Sequence, residues 1–172
     1  MAPIRVLQVM PAMDAGGMET FVMNVYRAID REQVQFDFLY HYNKSCFFDD
    51  EIASLGGRIF KTTVRQDSNL PRYLRELRQL FAAHPEWCIL HGHYSGFGMF
   101  YNTVARRAGI PVRVGHSHNT AYEHNLVGLL DRLMSLRFSA GLTDRFACSE
   151  LAGKMLFGNA PFTVLPNGID TA

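Results

Sequence analysis

Apolar positions along the chain fall into two alternating rhythms. Ile4–Met10 is a short apolar run of the kind that forms a buried strand, and Val34, Phe36, Phe38 and Tyr40 alternate with other residues over Val34–Tyr40 at the period of two expected of a strand. Arg58–Lys61, Trp87–His91, Val112–Gly115, Arg145–Cys148 and Phe162–Leu165 read as further strands. The stretches between them have helical spacing. Met18–Ile29 puts Phe21, Val22, Val25, Tyr26 and Ile29 on one stripe, and Asp49–Leu55 is a short helix stopped by Gly56-Gly57. Leu70–Ala83 tolerates Pro71 in its first turn, Gly96–Ala108 closes at Gly109, and His124–Ser139 ends near Gly141. Ser149 is placed to cap a helix over Glu150–Phe157, with Glu150 at its positive end and Gly158 beyond its last residue. Strand and helix alternate six times before a last strand. This predicts one α/β domain, a doubly wound, mainly parallel sheet of about seven strands with right-handed crossovers and helices on both faces.

Composition narrows the class. A chain of 172 residues with 48% hydrophobic and 19% charged residues is globular and long enough to bury a core. The formal charge of +1 excludes a strongly basic nucleic-acid footprint, so no nucleic-acid partner is expected. All but three of the 17 cations are Arg, the better donor to phosphates and carboxylates. The three cysteines lack C-x-x-C spacing, which argues against a disulfide framework and for a reducing compartment. With neither a targeting segment nor an apolar run of transmembrane length in sight, the expectation is a cytoplasmic protein.

In a doubly wound sheet, ligands bind beyond the carboxyl ends of the strands, where the strand order reverses. With the first and fourth strands as central neighbours, that crevice receives Gly16-Gly17, His91-Gly92-His93-Tyr94 and His116-Ser117-His118-Asn119. The glycine pair precedes a helix N-terminus, where bare backbone and free N–H groups favour an anion such as a diphosphate; a plain turn fits it equally. Five of the seven histidines (His91, His93, His116, His118 and His124) fall in or near the crevice. Three readings stay open for them: strand-end residues bonded to backbone, a zinc site built on the two H-x-H pairs, or donors and acceptors for a polyhydroxylated ligand. Glu123 and Asp131 are the only nearby carboxylates, so neither structural nor catalytic zinc is expected. Asp14 suits a local turn, Glu19 the first turn of its helix, and Cys148 a small buried apolar site. Arg72, Arg75 and Arg78 form a solvated helix face or meet acidic lipid headgroups.

The ordered set of motifs resembles the retaining glycosyltransferases of family 4, which have the GT-B fold, in their capsular and exopolysaccharide branch. The residues that carry it are Gly16-Gly17-Met18-Glu19, Val114-Gly115-His116-Ser117-His118-Asn119, Phe146-Ala147-Cys148-Ser149-Glu150, Met155-Leu156-Phe157-Gly158 and Leu165-Pro166-Asn167-Gly168-Ile169-Asp170. Met155 stands where this branch often has Trp. The resemblance implies that residues 1–166 are the Rossmann-like amino-terminal, acceptor-side half of such an enzyme, and that 167–172 begin the passage to a donor-binding half. It implies transfer from a nucleotide-diphosphate sugar to a glycan or polyprenyl-linked acceptor in surface polysaccharide synthesis, with retention and without an essential metal or cofactor. Peripheral contact with the inner face of the cell membrane goes with such an acceptor. His118 takes the catalytic position beside the transferred sugar, and Gly16, Gly17, His93, His116, Asn119, Ser149 and Glu150 line the substrate. The half alone is expected to be inactive. A competing reading, a non-catalytic ligand-binding or regulatory α/β module, would want an acidic cluster after the first strand, where Asp14 stands alone.

Overall fold

In a computed structural model, residues 2–93, 97–120 and 126–167 are described. Tyr94, Gly96, His124 and the Gly168–Asp170 end of the last motif lie outside the described residues. Seven strands, β1 (Ile4–Met10), β2 (Val34–Tyr40), β3 (Ile59–Lys61), β4 (Trp87–Gly92), β5 (Val112–Ser117), β6 (Asp144–Ala147) and β7 (Thr163–Val164), form one sheet. Every pairing is parallel, in the order β3-β2-β1-β4-β5-β6-β7. The strand order reverses between β1 and β4, as the sequence predicts.

Seven helices connect the strands: α1 (Gly17–Ala28), α2 (Asp49–Ser54), α3 (Val64–Asp67), α4 (Leu70–Ala83), α5 (Gly98–Arg107), α6 (Leu126–Ala140) and α7 (Glu150–Phe157). The single turn α3 has no counterpart in the sequence reading, since four residues are too few for a hydrophobic period; Ser68, at φ 53°, ends it. Gly56 and Gly109, both at φ 86°, stop α2 and α5 in the left-handed conformation that glycine adopts without steric cost.

The period-two alternation of strands decides which helices each residue meets. Val6, Met10, Phe36, Phe38 and Tyr40 pack against Phe21, Val22 and Tyr26 of α1 and Ile52 of α2. Leu7, Val9, Leu39, Trp87 and Leu90 face the other way, toward Leu77 and Phe81 of α4, Tyr101 and Val104 of α5 and Phe138 of α6. The alternation in β2 reads as a half-buried strand, yet β2 is buried on both faces, and the polar residue between the apolar ones is a fully buried carboxylate. Asp37 accepts from Arg5 (2.5 and 2.8 Å), Arg58 (2.5, 3.0 and 3.1 Å) and the Trp87 indole N–H (2.7 Å). Burial alone would push its pKa up; the bonds from Arg5, Arg58 and Trp87 overcome this and hold it well below the usual carboxylate range. Among the described residues, no helix is long and apolar enough to cross a membrane. Cys46, Cys88 and Cys148 are all unpaired.

Candidate functional site

Both H-x-H pairs sit on strand ends. β4 runs through Gly92, one residue past the strand read from the sequence, and keeps His91 in the sheet; β5 runs through Ser117 rather than stopping at Gly115, so His116 belongs to the sheet as well. His91 pairs with Gln8 of β1 and Val114 of β5, and His116 pairs with Phe146 of β6. Residues in register share a face, and so do residues two apart on a strand. The sheet register therefore puts His91 and His116 on the face that carries α1, and His93 and His118 continue each pair just beyond the strand ends. Gly92, between the first pair, and Gly115, just before the second, face the opposite layer and are glycine for a packing reason, whereas Ser117, between His116 and His118, donates its hydroxyl to the Ala152 carbonyl at 2.7 Å. A Cβ on Gly92 would come within 2.3 Å of the Tyr101 hydroxyl, and one on Gly115 within 2.4 Å of Leu142.

The four rings form one cluster. Centroid separations are 4.1 Å for His91–His93, 4.2 Å for His116–His118, 5.2 Å for His93–His118, 5.4 Å for His93–His116 and 5.5 Å for His91–His116. Phe21 of α1 lies against His116 and His118, with its centroid 5.5 and 6.1 Å away. An amide oxygen only accepts, so His93 Nε2 carries the proton donated to Gln8 Oε1 at 2.9 Å. His93 Nδ1 is then a lone pair, 2.9 Å from the Nε2 of His118, which supplies the proton between them.

Burial, followed by repulsion from the other imidazoles, holds the rings neutral. It lowers His91 to about 3 and His116 to about 2, and takes His93 well below its ordinary value. Burial also pushes His118 down to about 4, against the upward pull of a side-chain hydrogen bond with Asn167. At neutral pH the cluster is thus a set of uncharged donors and acceptors rather than a cationic clamp.

The other expected site residues divide. Gly17 has open space where a Cβ would stand, as a ligand-facing position should; at Gly16 a Cβ would meet the Glu19 carboxylate at 2.4 Å. Glu19 folds back over the N-terminal end of its own helix, so an internal carboxylate occupies the end expected to hold a ligand anion. Its pKa is raised by burial and, less, by Asp14. Asn119 is exposed just past His118. Ser149 accepts from Ala152 N–H at 3.2 Å as the cap of α7. Glu150, exposed in the first turn, lines a groove with Lys154 and Phe162 rather than the imidazole cluster. Asp14 pairs with Lys44 at the surface.

Two polar residues that reach the cluster, and a buried histidine outside it, escape the sequence reading. Gln8, buried and bonded to His93, is the one polar side chain inside the apolar tract 6–10. Asn167, at the end of the described chain, reaches His118. His41, next after β2, is fully buried and bridges the Met10 carbonyl (3.0 Å) and the Tyr73 hydroxyl (2.6 Å); burial lowers its pKa to about 4.

Known proteins carry the same framework. The chain is 42% identical over 175 residues to a protein named as a glycosyltransferase, EpsF, of Bacillus subtilis (strain 168); the match covers 96% of this chain and 45% of that protein, so the chain spans about half the length of its relative. In fold it is similar to Anabaena Alr3699/HepE, solved in complex with UDP and glucose (TM-score 0.69, 14% identity, covering 97% of this chain and 45% of that one). It is also similar to the lipopolysaccharide outer core galactosyltransferase WaaB (TM-score 0.61, 10% identity, 94% and 44%). A protein from Listeria monocytogenes named as a UDP-N-acetylglucosamine 2-epimerase shares the fold as well (TM-score 0.66, 11% identity, 95% and 45%), so the fold alone does not choose the reaction. The sequence profile described as Glycosyltransferase Family 4 matches residues 15–172, the stretch that holds both H-x-H pairs, and on that match the chain belongs to this family.

Proposed function

We propose that residues 1–166 form the acceptor-side half of a retaining glycosyltransferase. In this reading the whole enzyme moves a sugar from a nucleotide-diphosphate sugar to a glycan or polyprenyl-linked acceptor during exopolysaccharide synthesis. One observation carries the reading: four neutral imidazoles gather at the carboxyl ends of β4 and β5, where the strand order reverses, and His118 is linked to Asn167 at the end of the described chain. A sugar presents hydroxyl groups that both donate and accept, and a neutral imidazole answers both. The His93–His118 bond fixes the ring of His118 in one tautomer. His118 hydrogen-bonds the transferred sugar, and the contact tightens as the sugar ring flattens and gains positive charge. A contact stronger in that state than in the ground state lowers the barrier. Gly17 offers open backbone beside the donor diphosphate, which leaves with the acceptor proton on the same face of the sugar. UDP and glucose in the complexes of Alr3699/HepE support this class of donor.

The polyprenyl-linked acceptor places the enzyme at the cytoplasmic face of the membrane, and the surface of α6 suits that position. Leu129, Leu133 and Leu136 stand exposed beside Arg132 and Arg137. Arg137 shares a groove with Arg78 of α4 and Arg107 of α5. Apolar side chains flanked by Arg match an anionic lipid surface. The test of the main reading is a donor screen on the whole enzyme with a polyprenyl-diphosphate-linked acceptor, reading release of nucleoside diphosphate. Turnover of one nucleotide sugar with retained anomeric configuration supports it; hydrolysis or epimerisation of the donor, with no transfer, overturns it.

A further inference from the structure

We propose that His91, His93 and His116 bind a divalent transition metal ion of the zinc class. One ring nitrogen from each lies within 4.8 Å of the others. His93 and His116 are 6% and 2% exposed, and neither nitrogen of His116, nor Nε2 of His91, has a hydrogen-bond partner among the described residues. Buried polar atoms in folded proteins are almost always satisfied, so a group of orphaned nitrogens converging on one point calls for a missing partner. The converging lone pairs call for an electron-pair acceptor, which excludes an anion.

The donor set selects the ion. Calcium and magnesium want oxygen ligands, whereas imidazole suits zinc, copper, nickel and iron. Three histidines with a fourth position open is an ordinary zinc arrangement that needs no carboxylate. The scarcity of carboxylates nearby, on which the sequence argues against zinc, does not bear on three neutral imidazoles, and the resemblance speaks only of a metal essential to transfer. Zinc–nitrogen bonds of about 2.0–2.1 Å put tetrahedral donors about 3.4 Å apart, so the rings close on the ion by modest side-chain rotation. Two rings come from sheet residues and the third from the position just after β4, so the backbone is already in place. Gln8, holding the Nε2 proton of His93, orients that ring with its Nδ1 lone pair toward the cluster, and a metal bound there takes the place of the His118 Nε2–H on that lone pair. His118, with an unpartnered Nδ1 among the described residues and its ring 4.2 Å from that of His116, lies beside the three.

The experiment is equilibrium dialysis of the chain against zinc sulfate, with bound metal read by elemental analysis and cobalt(II) substituted to read the ligand field. The expected result is one zinc per chain and the intense visible bands of four-coordinate cobalt. His116→Gln and His91→Gln should each weaken binding by at least about 100-fold, and Gln8→Ala, which removes only an orienting partner, by about 10- to 100-fold. Cys46→Ser should leave affinity unchanged. Should the histidine variants fail to fold, nitrogen NMR of the unaltered chain decides: zinc must shift the ring signals of His91, His93 and His116 together and leave His84 unmoved. No stoichiometric zinc, affinity unchanged in folded histidine variants, or shifts confined to other side chains would each overturn the proposal.

Discussion

His118 and Asp37 show how a single side chain is given its task by what surrounds it. His118 shares a proton with His93, which is anchored on Gln8, and burial holds it uncharged. If it contacts the sugar in the transition state, His118→Ala in the whole enzyme removes one preorganised hydrogen bond, an effect of about 2–4 kcal/mol. That corresponds to about a 30- to 1,000-fold fall in kcat. Circular dichroism establishes that the variant is folded, and a kcat within about threefold of the parent would make His118 a scaffold residue. Asp37 has the opposite role, since its charge is spent on stability. Its pKa is depressed in the folded chain, so the unfolded chain binds the extra proton and stability falls as pH drops below the ordinary Asp value of about 3.9. Asp37→Asn should cost about 3–5 kcal/mol at pH 7 by leaving Arg5 without its carboxylate and Arg58 with Glu86 alone, and should flatten the acid limb. Urea titrations of both proteins from neutral to acidic pH measure both effects.

Among the elements, β4 and β5 carry the most information per residue. Each alternates a histidine toward the α1 layer with a glycine toward α5 and α6, so site and packing are written in the same short segments. The glycines let Tyr101, Phe138 and Leu142 approach the sheet closely, which fixes the level of the strand ends and hence of the rings. α6 carries the exposed apolar side chains that the proposed membrane contact would use. Leu133→Ser with Leu136→Ser removes two exposed apolar side chains at no cost to the core, since neither is buried. The double variant should lose most binding to vesicles containing anionic lipid in a sedimentation assay while keeping the parent's thermal midpoint. Undiminished binding would detach α6 from the membrane.

The whole molecule is one parallel sheet with the imidazole cluster at the carboxyl ends of its central strands, and it spans 45% of its Bacillus relative. A crevice lined from one side binds less of a ligand than one closed from both. The chain by itself is therefore expected to show no transferase turnover and at most weak binding of UDP-sugars by calorimetry; micromolar affinity would mean that this half carries the donor site.

The alternation of apolar runs and amphipathic stretches was enough to determine the α/β class, seven strands and most element boundaries, because burial in a two-layered sheet imposes those periods locally. Leu70–Ala83 and Glu150–Phe157 were legible to the residue, as signals are written beside them: Pro71 in the first turn of the first, Ser149 and Gly158 at the ends of the second; the Asn69 cap of the first emerged only from the structure. The motif order also pointed to the family and to the histidines. What only the tertiary structure decided is which atoms meet. Gln8 reads as a lone polar residue in a strand until β4 pairs beside it and puts His93 within 2.9 Å, 85 positions away in sequence. Asp37 reads as the polar member of an alternating strand until Arg5, Arg58 and Trp87 converge on it from three other segments. The two H-x-H pairs become a single cluster only because β4 and β5 are adjacent and in register. Hydrophobic period is a property of neighbours in the chain, whereas hydrogen bonding and the neutrality of buried imidazoles depend on neighbours in space, and no local pattern encodes those distances.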